Sequence, residues 1–181
     1  MKLTVRELQK KDIPLFVEYW QNMSEADLGR MFIDPVKLNT NSNYMESKLL
    51  ETLNTPLEQR ISDPLVWEVD GEAVGFTNMN NIKRGEEAEV HLHMAKPHFR
   101  LKGLGRKLFL LSVEQYFKRH SLKKVICQPA SQNPYPNGMM RALGIPIAKT
   151  YTGTPSLICT EHEVNRYEIT REMTKVWKPF L

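Results

Sequence analysis

The chain has 181 residues, 41% hydrophobic and 25% charged, and Lys plus Arg exceed Asp plus Glu by 25 to 21. That length suits one domain with a sizeable core, and the composition excludes a disordered or fibrous chain. A net charge of +4 can attract an anionic ligand, but it is too small to argue for nucleic acid, even with basic residues concentrated at 96–106 and 118–124.

No stretch approaches the roughly 18 apolar residues of a membrane span. Behind Met1-Lys2-Leu3-Thr4-Val5-Arg6 there is no apolar run of signal length. The expectation is a cytoplasmic protein with no membrane contact, whose two cysteines, Cys127 and Cys159, stay reduced.

Polar and apolar residues alternate over 2–6, which predicts a strand with Leu3 and Val5 inward. Asp12-Ile13-Pro14 reads as a helix start with Asp12 as N-cap, followed by an apolar face of Leu15, Phe16, Tyr19 and Trp20. A second helix is expected from about Asn43 to Leu53, with Met45, Leu49, Leu50 and Leu53 as its stripe. Strands follow at 65–69 and 73–80 around Asp70-Gly71, a strong hairpin signal. After a turn at Arg84-Gly85-Glu86, another strand covers 89–94.

The period then changes to that of a helix over 104–117, carried by Leu104, Leu108, Leu111 and Val113. A short strand at 124–128, a short helix at 136–143 closed by Gly144, and strands at 147–151 and 164–170 complete the chain. This order predicts a mixed α/β (α+β) fold, a twisted and mostly antiparallel sheet with helices on both faces.

The most informative segment is Arg100-Leu101-Lys102-Gly103-Leu104-Gly105, between a strand and a long helix. Its glycines let the backbone approach a bulky ligand, and the uncapped N–H groups and positive dipole of the helix start suit a phosphate. Arg100, Lys102, Arg106 and Lys107 add charge. The segment is neither a P-loop nor a dinucleotide fingerprint, since Leu108 stands where the third glycine would be.

As R-x-x-G-x-G after a strand and before a helix, it resembles motif A of the GNAT N-acetyltransferase superfamily. Asn133 leading to Leu143-Gly144-Ile145 is similar to that family's second motif. The 3–12 stretch and Ala88-Glu89-Val90 resemble the branch containing the ribosomal-protein N-terminal acetyltransferases. The likeness covers most of the chain and implies one acetyltransferase domain over 1–181, with acetyl-CoA as co-substrate and no metal. It also implies a small-molecule or peptide amine as acceptor, no nucleic acid, and a monomer or homodimer.

The resemblance assigns the cofactor to Met94 and to Arg100, Leu101, Lys102, Gly103, Leu104, Gly105, Arg106 and Asn133. For the base, Glu89, His91 and His93 share one strand face, and histidine titrates near neutrality; the preference runs His93, Glu89, His91. Asn78 and Asn80 alternate on the preceding strand as candidate acceptor contacts.

Many family members carry a tyrosine acid seven residues after the motif asparagine. Here that position is Met140, with Tyr135 and Tyr151 as nearby substitutes. Two other readings remain. Gly85-x5-His91-x-His93 matches the opening of a cupin metal motif, although Pro97 and His98 stand where its glutamate belongs. A non-catalytic acetyl-CoA-binding module would account for the absent tyrosine.

Overall fold

A computed structural model describes residues 1–40 and 42–177, with backbone alone at 40, 42 and 43. Strands β1 (Leu3–Glu7), β2 (Asp63–Val69), β3 (Glu72–Lys83) and β4 (Glu87–Met94) form an antiparallel meander. The Asp70-Gly71 turn closes its β2–β3 hairpin, both residues at positive φ.

After β4, helix α5 (Leu104–Arg119) carries the chain back across the sheet, so β5 (Lys124–Cys127) pairs with β4 in parallel. β7 (His162–Thr170) lies beside β5, and β6 (Ile147–Gly153) forms the outer edge. The sheet is seven-stranded, ordered β1-β2-β3-β4-β5-β7-β6. It is mostly antiparallel with helices on both faces, as the sequence implies.

On one face α5 packs Leu108, Val113 and Tyr116 against Leu65, Val90 and Val125 of the sheet. α6 (Pro134–Ala142) and α7 (Arg171–Trp177) extend that core through Met140 and Trp177. On the other face Phe16 of α1 (Ile13–Gln21) joins Val66 and Phe76, with Leu49 and Leu53 of α4 (Ser42–Asn54) packed against them. Each such buried side chain contributes roughly 1.5–3 kcal/mol. α4 is the expected second helix; the side chain of Asn43, named as its start, lies outside the described residues.

Two short helices, α2 (Glu25–Arg30) and α3 (Pro35–Thr40), fill the space between α1 and α4 and are not expected from periodicity. At six residues each they are too short to show a stripe. Ser24 sets the start of α2 by accepting from Asp27 N at 3.1 Å. The segment after α2 is tied to the β6–β7 loop, where Asp34 N donates to Ile158 O and Thr160 N to Phe32 O, both at 2.8 Å.

Asp12 precedes α1 but does not cap it. Its carboxylate instead accepts from Arg6 at 2.6 and 2.9 Å and from Gln9 N at 2.8 Å, because an ion pair outcompetes a cap bond.

Candidate active site

The parallel pairing of β4 with β5 is brief. It runs from Glu87 beside Lys124 to Glu89 beside Ile126, after which β4 continues to Met94 while β5 ends at Cys127. The strands part at Glu89, and among the described residues the β5-facing edge of residues 90–94 has no strand partner. A cleft of about 2050 Å³ passes through this gap. Arg100, Gly103, Gly105 and Arg106 line one end, Glu89, Val90 and Cys127 the middle, and Ser62, Asn78 and Asn80 the other end.

At the first end Gly103 sits at the N-cap of α5 with φ +73°, and no side chain caps the helix. Side chains added at Gly103 or Gly105 would point into open space. The free N–H groups of a 16-residue helix therefore face a cavity a phosphate can enter. Leu101, with φ +61°, is 85% exposed.

Of the loop residues named from sequence, Arg100, Leu101, Gly103, Gly105 and Arg106 line the cleft. Leu104 turns its side chain into the core, and Lys102 lies over the Phe99 ring, so these two present backbone or stay at the rim. Arg100 is held from within the protein: its Nε donates to Met94 O at 3.1 Å and its Nη1 to Asp27 at 3.2 Å.

In the middle, Glu89 is 6% exposed. Its Oε2 accepts from Asn81 Nδ2 at 3.2 Å, and among the described residues its Oε1 has no hydrogen-bond partner, with His91 Nε2 at 3.7 Å. Asn81 stands at a bulge between Asn80 and Lys83 with φ +51°, a conformation asparagine tolerates better than most residues. The bulge rotates its amide onto Glu89. Strand alternation ends at Asn80, so Asn81 is a contact the sequence pattern does not show.

Burial lowers the basicity of His91 and outweighs the opposing pull of Glu89. His93 lies deeper among aromatic rings, with Tyr19, Trp20 and Phe76 at centroid distances of 5.0, 4.8 and 5.0 Å, and its Nδ1 is 3.0 Å from the Tyr19 hydroxyl. Burial, together with His91, pushes His93 down to about 3. The three residues share one strand face, but the aromatic cage comes from α1, far away in sequence.

Across the gap, Asn133 caps α6 by accepting from Tyr135 N at 3.3 Å and lines the cleft. Asn137, not singled out from sequence, locks α6 down: it donates to Ala130 O and Asn133 O and accepts from Asn165 and Tyr167. Met140 is fully buried in the core. Tyr135 and Met139 line the cleft from one helix face, and the Tyr151 hydroxyl donates to Gln128 at 2.8 Å.

The sequence model of the Acetyltransferase (GNAT) family matches residues 26–145. The chain belongs to that family. This acetyltransferase has no match among the curated proteins.

Its structure is similar to spermidine N-acetyltransferase from Vibrio cholerae in complex with CoA and spermine. That likeness has a TM-score of 0.74 at 18% identity, covering 96% of this chain and 98% of the other. It is also similar to a ribosomal L7/L12 alpha-N-protein acetyltransferase in complex with CoA (TM-score 0.75, 16% identity, 94% of each chain). A third likeness is to the ribosomal-protein-S5-alanine acetyltransferase of Vibrio fischeri (TM-score 0.72, 14% identity, 96% of each chain). At these identities the likeness is one of fold.

As a member of the GNAT family this acetyltransferase uses acetyl-CoA as co-substrate and an amine as acceptor. Among the described residues no group of three or more His, Cys, Asp or Glu is placed to hold a metal ion, and no helix is long and apolar enough to cross a membrane. The cupin reading of His91 and His93 needs strands to continue beyond 94, where the chain instead forms α5.

Proposed function

We propose that this acetyltransferase is one domain over residues 1–181 that acetylates a primary amine by direct attack, with Glu89 as the base. The observation that carries this is a buried carboxylate, one oxygen without a hydrogen-bond partner, at the point where β4 and β5 part. Glu89 displaces His93 from first preference, because a ring pushed to about 3 and caged by Tyr19, Trp20 and Phe76 is a poor proton acceptor at neutral pH. His91, neutral at working pH, stands beside Glu89 as its partner.

Acetyl-CoA supplies the acyl group as an activated thioester. The N–H groups at the start of α5 and the positive side chains of Arg100 and Arg106 suit its pyrophosphate, while the open backbone edge of residues 90–94 offers its amide-bearing arm a strand to lie along. Met94 and Asn133 flank that arm on either side of the gap. Glu89 attracts the acceptor ammonium and removes one proton. The amine loses a second proton as the C–N bond forms and the C–S bond breaks, which balances the proton that the leaving sulfur takes up. Met140 cannot donate that proton, and Tyr135, on the cleft face of α6, takes the role. Asn78 and Asn80 contact the acceptor.

The two free, buried cysteines suit a reducing compartment, which supports a cytoplasmic location. In solution we expect a monomer or homodimer.

The test is Glu89→Gln. It should lower kcat by roughly 10²–10⁴ and leave acetyl-CoA affinity intact in a calorimetric titration. Undiminished turnover removes Glu89 from the mechanism. Binding of acetyl-CoA by the unaltered protein with no turnover of any amine leaves the alternative of a non-catalytic acetyl-CoA-binding module.

A further inference from the structure

The acceptor end of the cleft has a chemical character of its own. Beyond Glu89 its β3 wall is a row of side-chain amides. Ser62 Oγ donates to Asn78 Oδ1 at 2.8 Å, Asn78 Nδ2 donates to Asn80 Oδ1 at 3.1 Å, and among the described residues Asn80 Nδ2 has no acceptor. Asn78 and Asn80 lie opposite His91 and Glu89 in the β3–β4 register, so the row begins at the base and leads away from it. Two residues of strand span about 6.6–6.8 Å, the repeat of an extended peptide.

The charges at this end are already matched. Glu51 is paired with Lys48 at 2.6 Å, and Glu87 with Lys124, Lys83 and Arg166 at 3.2–3.5 Å. Among the described residues lining this end, Glu89 is the carboxylate with no Lys or Arg at its side. Lys37, Lys48, Arg60, Lys83 and Arg166 also line it, and Arg60 is paired with Asp63 and Glu7 behind the wall.

We propose that the acceptor is a primary amine carrying neutral amide groups within a few bonds of the nitrogen, as at an uncharged peptide N-terminus, and not a polycation. This rests on Glu89 being the base. One ammonium is met by Glu89. A second or third, as in spermidine, would meet no unpaired carboxylate and several cations, and like charges in a confined site are rejected. Amide side chains offer donors and acceptors together, which a peptide's own amides match.

The experiment compares kcat/KM for alanyl-alanine amide, glucosamine and spermidine, read as CoA thiol release at saturating acetyl-CoA. Alanyl-alanine amide should exceed spermidine by about tenfold or more. Asn80→Asp, nearly isosteric, should narrow that gap severalfold by giving a second ammonium a partner, with acetyl-CoA affinity unchanged.

Spermidine as the better substrate overturns the proposal and leaves the transferase mechanism standing. Glucosamine as the best substrate overturns the amide assignment in favour of hydroxyl recognition. If none of the three is acetylated by protein that binds acetyl-CoA, this proposal falls; turnover of some other amine keeps the mechanism, and turnover of none removes it as well.

Discussion

Arg100, in the loop before α5, is held at 3.2 Å by Asp27 of α2, a residue 73 positions earlier. Asp27 also pairs with Arg30, and burial, which alone would raise its pKa, is outweighed by the two guanidinium groups, so it stays ionised. The Arg30 guanidinium lies 4.7 Å from the centroid of the Tyr135 ring on α6. A chain of contacts therefore runs from the end of β4 through Arg100, Asp27 and Arg30 to the opposite wall of the cleft.

From this, Arg100→Glu should raise the dissociation constant for acetyl-CoA by about tenfold or more, because the new carboxylate repels both the pyrophosphate and Asp27. Calorimetric titration measures it, and unchanged affinity would remove the loop from the cofactor site.

Asp27→Asn is the control. It releases Arg100 without reversing charge at the loop, so acetyl-CoA affinity should hold. Unfolding in denaturant should show a loss of only about 1 kcal/mol, since the pair is partly solvated. A weaker affinity here would mean that Asp27 orients the loop.

The pH profile tests His93. His93, near 3, is protonated only in strong acid and is neutral throughout an ordinary assay. His93→Gln should therefore leave the midpoints of the kcat–pH profile where they are. A limb between about pH 5 and 8 that vanishes in this variant would restore His93 as the base.

Asn81→Ala should lower kcat by roughly tenfold or more while the protein stays folded, because it removes the amide that fixes Glu89. Rescue by Asn81→Gly, which keeps the bulge but not the amide, would assign the loss to backbone conformation instead.

Stability in acid should hinge on Asp63. Burial alone would raise its carboxyl, but hydrogen bonds from His120 and Arg119 prevail and hold it at about 2 against an ordinary 3.8. A depressed folded value means the stabilisation is complete above the unfolded pKa and is lost as pH falls from about 4 toward 2, by roughly 2 kcal/mol. Asp63→Asn should flatten that decline and cost about 3–5 kcal/mol at neutral pH, as it strands buried cationic groups. Thermal unfolding as a function of pH checks both.

The elements that announce themselves in the sequence are the long or strongly punctuated ones. Helix α5 has sixteen residues of periodic pattern, and Asp70-Gly71 fixes a hairpin. α2, α3 and α7, at six or seven residues, carry no comparable signal. The loop proposed for the cofactor is legible because its pattern is local: two glycines at the start of a helix. The proposed base is not legible in the same way. The rings around His93 come from Tyr19 and Trp20, some seventy residues away, and the amide that meets Glu89 depends on a bulge no alternation reveals. Met140 looks like a missing acid on counting alone, but the structure shows it as core packing.

The parting of β4 and β5 at Glu89 also has a consequence for the order of events. On the proposed mechanism thioester and amine meet beside this residue, which lines the cleft, and are held there together. Both thiols that line the cleft are poor acyl carriers at neutral pH: burial and the Glu89 charge push Cys127 up to about 12, and burial also raises Cys159. Initial-rate plots at several fixed acetyl-CoA concentrations should therefore intersect, the pattern of a ternary complex, and no acetylated protein should accumulate when the amine is withheld.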